Sequence, residues 1–137
     1  MLLYAGIRVT DLEKSRRFYT EALGLKEEKS GEQTHGGKWV FLEDPESHQR
    51  IELNWYPKGH LHDTPYVAGE GLDHIGFKVD NALSKYKELL AKGAESAAAP
   101  RVERGIEIIA YVKDPDGNWI EFFSEHKDAA KVLREEG

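Results

Sequence analysis

The sequence predicts an α+β fold made of two β-α-β-β-β modules followed by a C-terminal helix, and three recurrences predict it. Tyr4-Ala5-Gly6-Ile7-Arg8-Val9 returns as His74-Ile75-Gly76-Phe77-Lys78-Val79, 70 residues later. Phe41-Leu42-Glu43-Asp44-Pro45 returns at the same offset as Tyr111-Val112-Lys113-Asp114-Pro115. Ile51-Glu52-Leu53 matches Ile120-Glu121-Phe122, and Gly24 matches Gly93, at an offset of 69. Anchors that recur in one order over a period near 70 are too widely spaced for a solenoid and indicate two duplicated modules. The expected organisation is one domain over 1–137: module one at about 1–56, a linker at 57–70, module two at about 71–125 and a helix at 126–136.

Each element has a local reason. Leu2–Val9 alternates as a strand, and Asp11 caps a helix that runs to about Leu23 and stops at Gly24. Leu12, Phe18, Tyr19, Ala22 and Leu23 give that helix its apolar face. Leu25–Lys29 reads as a short strand, and the stretch around Gly31, Gly36 and Gly37 as a turn. Lys38–Leu42 and Arg50–Trp55 are strands on either side of the Asp44-Pro45-Glu46-Ser47 turn. The linker carries Pro57, Gly59, Pro65 and Gly69 together with His60 and His62, and its length suggests a functional role. In module two, strand Leu72–Val79 leads to a helix from about Asn81 to Lys92 that buries Leu83, Tyr86, Leu89 and Leu90. Ala94–Ala99 has no clear pattern. Glu107–Val112 and Trp119–Phe123 are strands around the Asp114–Gly117 turn, and His126–Glu136 is a mostly polar helix.

Composition narrows the function. A net charge of −6 and a pI of about 5.5 argue against nucleic acid and anionic membranes as partners. The absence of cysteine excludes a disulfide framework and thiolate chemistry. No run reaches membrane-spanning length and the first residues form no signal-peptide apolar region, so the expected compartment is the cytoplasm.

Strand alternation then places chemistry. If the apolar set of each module's first strand faces the helix, Tyr4, Gly6 and Arg8 lie on the opposite face, as do His74, Gly76 and Lys78. Ile51 and Leu53, like Ile120 and Phe122, point to the core, so Glu52 and Glu121 point away from it. Each module thus sets one ring and one carboxylate on its helix-free face, and two such sheets curved together would line a pocket with Tyr4, Glu52, His74 and Glu121. A lone strand His is more often structural than a ligand, and a lone strand Glu more often faces water. Repetition at equivalent positions shifts the balance towards a site, and two carboxylates with an imidazole suit a divalent metal.

The chain resembles the vicinal-oxygen-chelate superfamily, and glyoxalase I (lactoylglutathione lyase) in particular. The resemblance rests on Ile7-Arg8-Val9-Thr10-Asp11-Leu12-Glu13-Lys14-Ser15, Phe18-Tyr19, Leu23-Gly24-Leu25, Asp73-His74-Ile75-Gly76-Phe77 and Asp114-Pro115-Asp116-Gly117 with Ile120-Glu121. It implies the glyoxalase/bleomycin-resistance/extradiol dioxygenase fold, a homodimer, and one divalent metal per site, zinc or nickel first, with iron and manganese also fitting. It carries the metal ligands onto Glu52, His74 and Glu121, and puts Tyr4 where the pattern has His. Arg8 matches an arginine that contacts the glutathione carboxylate. Tyr4 and Lys78, on the same face, are further candidates for binding substrate. The asparagine that follows the first glutamate ligand by four residues would fall on Tyr56, with Asn54 out of phase.

The resemblance implies a lyase or isomerase that acts on a small molecule. Its metal binds two neighbouring substrate oxygens and stabilises an enediolate, while Glu121, or secondarily Glu52, moves the proton. The alternatives are an extradiol dioxygenase, which requires a second His that Tyr4 does not supply, an epimerase beside a thioester, and a metal-free drug-binding protein. His60 and His62 are read as solvated linker residues, the sharper reading being that one replaces the ligand missing at position 4.

Overall fold

Alternating apolar and polar residues produce two four-stranded sheets in the computed structural model, which describes residues 1–137. The chain divides into two compact units, Met1–Val67 and Ala68–Gly137, with the division inside the expected linker.

The first unit contains β1 (Ala5–Arg8), α1 (Leu12–Arg17), β2 (Lys26–Glu32), β3 (Lys38–Glu43) and β4 (Arg50–Trp55). Its strand order is β1-β4-β3-β2, with β1 parallel to β4 and the other pairs antiparallel. The Asp11 carboxylate caps α1 by accepting from the Lys14 N–H at 3.0 Å. The expected helix to Leu23 is present but changes form: Phe18–Ala22 is a π-helical turn closed by Leu23 N–H to the Phe18 carbonyl at 3.2 Å. Gly24, at φ +78°, ends it in the left-handed region. Strand β1 is shorter than expected, and β2 extends through Gly31. Gly31 pairs with Trp39 in the β2–β3 ladder, and the Trp39 indole lies across its backbone, where a Cβ would meet the ring at 2.5 Å.

The second unit repeats the plan with β5 (His74–Lys78), α2 (Ala82–Ala91), β6 (Ser96–Glu103), β7 (Glu107–Lys113), β8 (Trp119–Glu125) and α3 (Ala129–Glu136). The strand order is β5-β8-β7-β6, with β5 parallel to β8. Asn81 caps α2 through the Ser84 N–H at 3.1 Å. The unreadable stretch after α2 is the strand β6, which contains Pro100. Proline lacks an N–H, and β6 accommodates it as an edge strand with register shifts between Ser96 and Ala98 and between Ala98 and Arg101. Strand β8 alternates cleanly: Ile120, Phe122 and Ser124 are fully buried, while Glu121 is half-buried on the other face. Burial of an Ile or Phe side chain stabilises by about 1.5–3 kcal/mol, which fixes this register and therefore the direction of Glu121. Helix α3 starts at Ala129, three residues later than expected, where Asp128 caps it through the Lys131 N–H.

Candidate active site

In the second unit, β5 and β8 place Gly76 opposite Glu121, and His74 two pairs away on the same face, opposite Trp119. The His74 Nε2 stands 3.1 Å from Glu121 Oε2, and its Nδ1 stands 2.5 Å from Asp73 Oδ1. The imidazole is bracketed by two carboxylates. The hydrogen bond to Asp73 raises its pKa above the usual histidine value, and the Glu121 charge adds to this against the opposing effect of burial. Tyr111, paired with Glu121 across β7 and β8, meets the His74 ring edge-on at 5.7 Å. Burial, then the Glu121 charge, raises the Tyr111 pKa, so the phenol stays neutral. Arg101 lies 5.9 Å from the centre of the Tyr111 ring, and Trp119 packs against it at 5.4 Å.

The first unit repeats this layout with different chemistry. Tyr4 meets Phe41 edge-on at 4.7 Å, as His74 meets Tyr111. Arg50 and Lys29 lie 5.0 and 5.2 Å from the Phe41 ring centre. Glu52 pairs with Gly6 on one side and Phe41 on the other and is half-buried. Arg50, two residues before it, pairs instead with Glu28 at 2.5 Å. Asn54 shares the Glu52 face, since residues two apart in a strand point the same way. Its Nδ2 would be 3.3 Å from a Cβ on Gly6.

The remaining expected residues fall elsewhere. Arg8 Nη1 donates to the carbonyls of His62 and Thr64 at 2.9 and 2.6 Å, and its guanidinium lies 5.2 Å from the Tyr66 ring centre. It therefore ties the linker down beside a cavity of about 170 Å³ lined by Thr10, Trp55, Asp63 and Tyr66. Lys78 is exposed, with Glu125 3.9 Å away. His60 stacks on Tyr56 at 4.6 Å, and His62 and His35 lie 5.5 and 6.0 Å from it. These rings line a cleft of about 1040 Å³ at the loop end of the first unit.

Within either unit, no group of three His, Asp or Glu side chains is placed to hold a metal ion together. The closest approach to a ligand set is the His74–Glu121 pair. Two ligands, each about 2.0–2.2 Å from one divalent ion, stand roughly 3 Å apart, so this pair fits as two members of a mixed N/O set. Asp73 on the far ring nitrogen is the partner that such a histidine commonly has.

The model for the glyoxalase/bleomycin resistance protein/dioxygenase superfamily matches residues 2–122. The chain belongs to this superfamily. Among its members, the lactoylglutathione lyase of Haemophilus influenzae is 34% identical over 127 residues, covering 88% of this chain and 90% of that protein. The lactoylglutathione lyase of Salmonella typhimurium is 33% identical over 138 residues, covering 96% and 97%. Glyoxalase I from Zea mays superposes with a TM-score of 0.75 at 26% identity over 92% of this chain, which spans 45% of the maize chain. The trypanothione-dependent glyoxalase I of Leishmania major gives 0.70 at 29%, covering 99% of this chain and 91% of that one. These relatives support a glyoxalase-like function. No helix of this superfamily member is long and apolar enough to cross a membrane.

Two features of the site escaped the sequence reading. Asp73 stands in the motif Asp73-His74-Ile75-Gly76-Phe77, but its contact with the adjacent ring leaves no periodic signal in the sequence. Phe41 and Tyr111 were themselves anchors of the repeat, so their shared face with Glu52 and Glu121 was available from alternation alone.

Proposed function

We propose that this chain is a metal-dependent lyase or isomerase of glyoxalase I type, which moves a proton between adjacent carbons of a small oxo compound joined to a thiol. The observation that carries it is the His74–Glu121 pair at 3.1 Å, backed by Asp73 and walled by Tyr111. His74 and Glu121 would hold a divalent ion, zinc or nickel first, with Glu52 from the equivalent face of a first unit as the third ligand. When bound, that ion supplies Lewis-acid polarisation of two neighbouring substrate oxygens. Glu121 takes the proton from the carbon beside the carbonyl and returns it to its neighbour, with Glu52 the second choice. The transfer is an isomerisation, so it consumes no oxidant or reductant. Tyr111 walls one side of the His74 ring, and Tyr4, Arg8 and Lys78 are the substrate-binding candidates.

We further propose a homodimer in which Tyr4 and Glu52 of one subunit face His74 and Glu121 of the other. Each unit carries one ring and one carboxylate, half of the set the chemistry needs.

The test is thioester formation from methylglyoxal and a thiol by protein loaded with zinc or nickel, alongside metal content. His74→Ala should strip the metal, and Glu121→Gln should abolish proton transfer. Unchanged metal stoichiometry in His74→Ala would overturn the ligand assignment.

A further inference from the structure

We infer that Asp73 is a positioning residue that decides which nitrogen of His74 carries the proton, and so keeps Nε2 free to act as a ligand. The inference rests on the proposed metal-dependent reading of this site.

A neutral imidazole has one N–H and one lone pair, and the hydrogen bond made by one nitrogen sets the state of the other. Both nitrogens of His74 face a carboxylate: Nδ1 faces Asp73 at 2.5 Å and Nε2 faces Glu121 at 3.1 Å. Were Glu121 the only acceptor, it would hold the proton on Nε2. The lone pair would then lie on Nδ1, turned away from Glu121, and the two groups could not share an ion. Asp73 reverses this. Its shorter, charge-assisted bond captures the Nδ1 proton and leaves the Nε2 lone pair aimed at the side where Glu121 stands. Strand geometry makes the arrangement possible. His74 opens β5 with its ring on the helix-free face, and Asp73 lies just before the strand, where the backbone is free of the ladder and its side chain can turn to the same ring.

The first unit has no counterpart. Ring position 4 is a phenol packed on Phe41, and the residue before it is Leu3, so nothing there orients a ligand. The asymmetry assigns the metal-orienting role to the second unit alone.

The Asp73 side chain is 95% exposed, so water competes for it and the effect belongs at the lower end of what such partners give. Loss of a carboxylate behind a ligating histidine typically costs about 10–100-fold in metal affinity. The experiment compares wild type, Asp73→Ala, Asp73→Asn and, as a control for net charge, Asp80→Ala. It reads zinc affinity by calorimetry and the His74 tautomer by ¹⁵N NMR of the metal-free protein in alkaline buffer. Wild type should show the Nδ1–H tautomer. Asp73→Ala should shift to Nε2–H and bind zinc about 10-fold more weakly. Asp73→Asn, whose Oδ1 still accepts from Nδ1–H, should restore both, and Asp80→Ala should change neither. An Asp73→Ala protein that keeps the Nδ1–H tautomer and wild-type affinity would overturn the inference. So would an Asn variant as weak as the Ala variant, which would trace the effect to charge. If wild type binds no zinc at all, the functional reading fails, and the tautomer comparison still decides the role of Asp73.

Discussion

Tyr4 and His74 occupy equivalent places in the repeat, and each meets its aromatic partner edge-on, at 4.7 and 5.7 Å. The edge-on packing is common to both positions, and only position 74 carries an imidazole. A neutral phenol is a poor ligand compared with an imidazole. Position 4 therefore leaves three protein ligands where the resemblance implies four, so the native protein should turn over methylglyoxal with glutathione slowly. Tyr4→His should tighten zinc binding, read by calorimetry; unchanged affinity would show that position 4 does not face the ion. Position 4 was legible because the repeat supplied its counterpart. The engagement of Arg8 was not, because its partners are carbonyls 54 and 56 residues away in a linker without regular pattern.

At the scale of elements, the tight turns are where local sequence acts most directly. Asp44, between β3 and β4, accepts from the N–H groups of Ser47 and Glu46 at 2.9 and 2.8 Å. The Ser47 hydrogen bond is the largest influence that lowers its pKa, with burial opposing. A carboxylate with a lowered folded pKa contributes stability above its unfolded value, and that contribution is lost as pH falls through the folded value. Asp44→Ala should therefore cost about 1 kcal/mol at neutral pH, comparable to loss of a helix N-cap. The deficit should shrink in acid below the folded pKa of Asp44, which urea unfolding at a series of pH values would measure. A pH-independent deficit would assign the cost to packing. Such turns were readable from Asp-Pro and Asp-Gly pairs. Strand β6 was not, since Ala97, Ala98, Ala99 and Pro100 have low strand propensity and their pairing to β7 is a tertiary effect. The π-turn at Phe18–Ala22 was likewise hidden, because its apolar spacing is that of an ordinary helix.

For the whole molecule the decisive count is of ligands per unit. The first unit offers Glu52 and a phenol, and the second offers His74 and Glu121, so neither unit alone has the three or more protein ligands that a divalent catalytic site generally draws on. In the proposed dimer the third ligand, Glu52, comes from a second copy. This makes assembly and metal binding one equilibrium. Metal that binds only the dimer should shift the monomer–dimer balance by mass action. Light scattering at micromolar protein should report a dimer, and chelation should weaken it, with metal and dimer lost together on dilution. Glu52→Gln and His74→Ala, each inactive alone, should regain part of the zinc-dependent activity when mixed, because one of the two sites in a mixed dimer retains both native ligands. A monomer that binds one ion per chain with full affinity, or variants that fail to complement although each forms dimers, would refute the shared site.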